Sequence, residues 1–137
     1  MSAFVLDCSV TMSWCFEDEA RPETDEILDR LGIDGATVPS LWYWEVANVL
    51  NLGARRGRIS SSDVAARLNF LGALPIAADT EGPTRAWRET LLLAQTHKLT
   101  VYDAAYLELA NRLGFDLATT DVALRSAARA LGITVIP

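Results

Sequence analysis

Four carboxylates stand out by their positions in the chain: Asp7, Glu45, Asp103 and Asp121. Their local contexts are largely apolar: Phe-Val-Leu-Asp, Leu-Trp-Tyr-Trp-Glu-Val, Thr-Val-Tyr-Asp-Ala-Ala and Leu-Ala-Thr-Thr-Asp-Val. Carboxylates gathered in such a place repel one another and are tolerated when a cation neutralises them. An all-oxygen set with no nearby histidine or thiolate suits Mg2+ or Mn2+ rather than Zn2+. Such an ion activates water and stabilises charge developing on a phosphoryl group. Taken singly, Asp103 and Asp121 also read as helix N-caps, and Glu45 as a complement to a helix dipole. The four together are the stronger signal.

The elements that must position them are legible in outline. Short apolar runs at residues 3–6, 36–38, 75–77, 116–119 and 134–136 read as strands. Between them lie helical patterns. Ser9 caps a short helix through Phe16, and a second helix opens at Pro22 and ends near Leu31-Gly32. A third spans residues 41–56, with Gly57 as its stop and Glu45 in its first turn. Ser60 to Asp63 cap the next, Pro83 opens one running to about His97, and two more cover 103–112 and 122–131. Strands alternating with helices specify an α/β fold with a mainly parallel sheet and helices on both faces. Asp7 and Asp121 then fall at the carboxyl ends of strands, the edge where open α/β sheets build ligand sites.

Composition narrows the class. The 137 residues, half of them hydrophobic and 22% charged, fit one soluble domain. The longest charge-free run, residues 68–78, is too short to cross a bilayer, and Asp7 interrupts the N-terminal apolar run before it can act as a signal. A cytoplasmic location is expected. Cys8 and Cys15 would lie about 10 Å apart on a helix, too far for a disulfide, so buried reduced thiols are expected. A net charge of −6 argues against a general polyanion binder. Eleven of the twelve basic residues are arginine, Lys98 being the single lysine.

Four fragments in order carry a family resemblance: Phe4-Val5-Leu6-Asp7-Cys8-Ser9, Trp44-Glu45-Val46-Ala47-Asn48-Val49-Leu50, the stretch from Val101 through Asp103 to Ala110, and Leu117-Ala118-Thr119-Thr120-Asp121 with Leu124. Across essentially its whole length the chain resembles the PIN-domain ribonucleases, most closely the VapC-type toxins of type II toxin–antitoxin systems. The resemblance implies a single domain, residues 1–137, folded as a three-layer α/β/α sandwich with about five short strands. It implies a Mg2+- or Mn2+-dependent endoribonuclease with Asp7, Glu45, Asp103 and Asp121 as its acidic, metal-holding residues. Ser9, Asn48 and Thr119 match its supporting positions, while Cys8 stands where the family often has threonine or serine. It further implies an RNA substrate, a cognate antitoxin and a homodimer. The helices around residues 42–52 and 62–71 are the candidate interface.

Other residues invite a function and have plainer explanations. Trp42, Tyr43 and Trp44 could stack on bases, but three in a row on a helix cannot face one way, so at least one belongs to the core. Arg55, Arg56 and Arg58 form the densest basic cluster and fit either phosphate contacts or a solvated helix end. His97 reads as a cap or an exposed residue. Glu108 reads as surface. Two other functions compete with the nuclease. A catalytically silent PIN-like RNA- or protein-binding module is opposed by the intact acidic positions. A phosphotransferase or phosphatase with Asp7 as nucleophile lacks the second aspartate, at Ser9, and a suitable lysine.

Overall fold

The computed structural model describes residues 3–137. Strand β1 (Phe4–Leu6) is buried on both faces, which only a covered parallel sheet allows. Beside it lie β2 (Ala36–Pro39) and β4 (Leu117–Ala118), with β3 (Ile76–Asp79) and β5 (Val135–Ile136) at the edges. The order is β3-β2-β1-β4-β5, every pairing parallel, with Phe4 opposite Ala36 and Val5 opposite Leu117. The winding reverses between β1 and β4, and a crevice opens at such a switch point beyond the strands' carboxyl ends. The chain is therefore an α/β fold with a five-stranded parallel sheet flanked by helices.

The helices follow the expected pattern with instructive departures. Helix α1 (Cys8–Cys15) has Asp7, not Ser9, at its N-cap position, so Ser9 lies within the helix and its hydroxyl is free for other work. Helix α2 (Pro22–Asp34) runs through Gly32 and stops at Gly35, whose φ of 76° suits glycine and whose N–H bonds the Leu31 carbonyl. Gly32 is thus an interior glycine tolerated at roughly 1 kcal/mol relative to alanine. Helix α3 spans Leu41–Arg55, and α4 (Ser61–Gly72) begins with a reciprocal capping box between Ser60 and Asp63. The expected continuous helix at 83–97 is broken into α5 (Gly82–Arg85), a π-turn (Ala86–Thr90) and α6 (Leu91–His97). Helix α7 (Val101–Leu113) is capped by the Thr100 hydroxyl, and α8 (Val122–Ala130) by Asp121.

The core gathers Phe4, Val5 and Leu6 with Leu31, Val38, Leu50, Leu107, Leu117 and Leu124. Both thiols are free and buried, and burial pushes their proton affinity up, Cys15 to about 11. Trp42 supplies the expected core aromatic at 3% exposure, leaving Tyr43 and Trp44 outward. Among the described residues no helix is long and apolar enough to cross a membrane.

Candidate active site

Asp7 leaves β1 with its N–H bonded to the Ala118 carbonyl of β4, so the strand pairing itself fixes where the carboxylate begins. It is only 5% exposed. The Ser9 and Thr119 hydroxyls each donate to its Oδ2 at 2.7 Å, and Thr119 is fully buried. Ser9 in turn accepts from the Thr120 N–H at 3.0 Å, and Thr119 from the Asp121 N–H at 3.1 Å. Two hydroxyls thereby sew the end of β1 to the β4–α8 connection. Thr11 donates to the Asp7 carbonyl and accepts from the Trp42 indole, which ties α3 to the same corner.

Glu45 comes from α3, in its second turn rather than the first, so the helix-dipole reading loses its basis. Its Oε1 accepts a 2.5 Å hydrogen bond from the phenol of fully buried Tyr106 on α7. Tyr106 escaped the sequence reading although its signal was present: it lies three residues after Asp103, one helical turn along the same face. Asp103 is half-buried in the first turn of α7, and the cap there is Thr100, whose Oγ1 accepts from the Asp103 N–H at 3.1 Å. Asp121 is both a candidate ligand and a true N-cap, accepting the Leu124 N–H on Oδ2 at 2.9 Å. Asn48 is exposed one turn beyond Glu45 and makes no hydrogen bond to the other site residues among those described.

The electrostatics treat the acids as one group. Burial raises the proton affinity of Asp7 above the ordinary carboxylate range, and Asp121 adds to it against the two hydroxyls. Burial also raises Glu45, with further repulsion from Asp7 and Asp103, although the Tyr106 phenol opposes it. Asp103 is raised by burial and then by Asp7 and Asp121. No arginine or lysine offsets any of the three. Among the described residues no three acidic, histidine or cysteine side chains are drawn tightly enough to form a ready coordination sphere.

Several tempting residues fall elsewhere. Glu108 is a correction: it is 5% exposed, held by Arg112 from the same helix rather than lying at the surface. Arg58 pairs with Asp18 and Glu19 and lies over the Phe16 ring, so it is not a free phosphate contact.

Comparison with known proteins identifies the family. Residues 4–130 match the PIN domain family model. The chain is similar to a protein named Ribonuclease VapC3 from Pyrobaculum aerophilum, 36% identical over 78 residues; the match covers 57% of this chain and 60% of that one. In three dimensions it is similar to PAE2754 from Pyrobaculum aerophilum, with a TM-score of 0.71 and 22% identity, over 98% of this chain and 83% of that one. It is also similar to FitAcB from Neisseria gonorrhoeae, with a TM-score of 0.64 and 15% identity, over 98% and 96% of the two chains. The chain belongs to the PIN domain family.

Proposed function

We propose that the protein is a Mg2+- or Mn2+-dependent endoribonuclease, the toxin of a VapBC-type pair, acting in the cytoplasm. One observation carries the reading: buried Asp7 and part-buried Glu45 and Asp103 disfavour one another's charge, Asp121 adds to the repulsion on Asp7 and Asp103, and no basic side chain offsets the three. A protein that leaves such a deficit uncompensated has left it for a cation. The similarity to a protein named Ribonuclease VapC3 supports the same class.

Asp7, Asp103 and Asp121 hold the ion, with Glu45 as the fourth acidic residue. A divalent ion bound there supplies Lewis-acid stabilisation of the scissile phosphate and lowers the pKa of water. Ser9 and Thr119 keep Asp7 Oδ2 occupied, which fixes the plane of its carboxylate and leaves Oδ1 outside that hydroxyl pair. Tyr106 fixes Glu45 in the same way, with Asn48 one turn further along α3. An antitoxin inhibits by placing a guanidinium among the carboxylates, where it substitutes for the ion's charge. The protein works as a homodimer through α3 and α4.

The test is incubation of wild type, Asp7→Asn and Asp103→Asn with tRNA, rRNA and mRNA in Mn2+, Mg2+ or EDTA. Cleavage is expected from the wild type with metal alone. Cleavage that persists in EDTA or in both variants would refute the assignment. Co-expression of the small protein encoded beside it should suppress cleavage, and light scattering should give twice the chain mass.

A further inference from the structure

Beside the acidic centre, over the ends of β2 and β3, lies a second concavity of about 230 Å3 between α7 and the α5–π–α6 segment. It shares two elements with the acidic centre. Tyr102 lines it and directly precedes Asp103, while Leu41 lines it one turn before Glu45. Adjacent strands are about 4.8 Å apart, so a ligand lying across the sheet edge passes from Asp7 into this concavity within one or two strand spacings.

The walls specify an occupant. Most are apolar, with Pro39, Leu41, Val101 and Ala105 among them, and Tyr102 stands at the rim 67% exposed. Two carboxylates, Asp79 and Glu108, also line it, but Arg112 bonds Asp79 at 2.7 Å and Glu108 at 2.8 Å. Arg85 also lies 3.6 Å from Glu108, so two guanidiniums offset the two carboxylates inside the protein and the cavity has no need of a cation. The Ser40 hydroxyl lines it without capping α3. The π-turn contributes Ala86 and the buried Thr90, and such turns recur at functional sites. These features fit a flat, neutral, apolar-faced ring with hydrogen-bonding groups on its edge.

We propose that this cavity holds one unstacked nucleobase of the strand whose phosphate lies at the acidic centre, with Tyr102 as the stacking surface. It rests on the RNA-cleaving reading above and adds a base subsite to it. Ala105, at the wall, limits the size of the ring. Stacking on one aromatic is worth on the order of tenfold or more in affinity.

The test compares inorganic phosphate with the four nucleoside 5′-monophosphates, titrated in Mg2+ and followed in protein NMR spectra. At least one monophosphate should bind about tenfold more tightly than phosphate. Tyr102→Ala and the cavity-filling Ala105→Leu should both abolish that gain while keeping the wild-type melting response to Mn2+. Equal binding of phosphate and all four monophosphates would overturn the proposal, as would a gain that survives both variants. Shifts at the cavity on adding the co-expressed protein partner, with none from any monophosphate, would assign it to a protein side chain instead and overturn it too. RNA cleavage by the same preparation separates the two readings. A base-dependent gain without cleavage keeps the subsite and removes the nuclease; cleavage without the gain removes the subsite alone.

Discussion

Helix α7 carries carboxylates at both ends of its length, and the protein treats the two groups in opposite ways. Towards its N-terminus, Asp103 faces Asp7 and Asp121 and is held above its usual proton affinity by burial and by those neighbours. About one and a half turns later, Glu108 meets Asp79 and Glu81 around Arg112, which donates to all three. There the guanidinium's hydrogen bonds hold Asp79 below its usual range, and Arg112 is correspondingly held charged. Both groups cluster acids near the same sheet edge. One is supplied with its own cation and serves as a structural clamp between α7 and β3. The other lacks one, so its stability and its chemistry both depend on what arrives from solution.

The largest effect should come from removing the internal cation. Arg112→Met leaves Asp79 without its cation and Glu108 with only Arg85 at 3.6 Å, and loss of one partner from such a cluster costs about 3 kcal/mol or more. Chemical denaturation measures it, and an unchanged midpoint would mean that the two clusters do not differ as described. The acidic centre should behave in reverse. A hundredfold excess of Mn2+ over its dissociation constant should stabilise the wild type by about 2.7 kcal/mol and Asp7→Asn by much less. In EDTA, Asp7→Asn should melt higher than wild type, since it removes a carboxylate whose charged form burial and Asp121 disfavour. A lower melt for Asp7→Asn in EDTA would favour an ordinary capping role.

Acidity separates the clusters by sign. For Asp7, Glu45 and Asp103 the folded state holds protons more tightly than the unfolded chain. Their penalty is therefore absent below the usual values of 3.8 and 4.5, and it grows as pH rises through the folded values. Asp79 contributes stability that is present above 3.8 and lost as pH falls through its lowered folded value. Metal-free protein should thus gain stability as pH falls through the raised values of the acidic centre towards 4.5 and 3.8, then lose it as pH falls further through the lowered value of Asp79. Saturating Mn2+ should flatten or reverse the first of these slopes, and melting curves across pH in EDTA and in Mn2+ decide it. The smallest effect belongs to Tyr106→Phe. It removes one hydrogen bond to Glu45 for about 1 kcal/mol of stability, and its signature is a weaker response to Mn2+.

The strands and Asp7 were legible because a short apolar run ends in a carboxylate, whereas Glu45 and Asp103 lie in helical turns and stand out by their apolar contexts. Ser9 and Thr119 became visible only through the family pattern, since nothing local ties a serine at one end of the chain to a threonine near the other. Glu108 was misjudged because helical spacing shows which way it turns from Asp103 but not that β3 brings Asp79 to meet it. The π-turn at Ala86–Thr90 was equally illegible, as its residues are compatible with an ordinary helix. The end placed at Leu31-Gly32 fell one turn short, because an interior glycine does not by itself stop a helix and the positive φ that closes α2 is at Gly35.

The bond between Thr119 and Asp7 spans 112 residues and crosses the central strand pairing of the sheet. Contacts so distant in sequence close late, because the intervening chain must first be ordered. During synthesis the first carboxylate emerges almost at once, yet the site lacks its hydroxyl clamp and its last acid until Asp121 has left the ribosome. Closure of the clamp on Asp7 therefore waits for β4 and the α8 cap, and the fourth carboxylate joins the other three only with them.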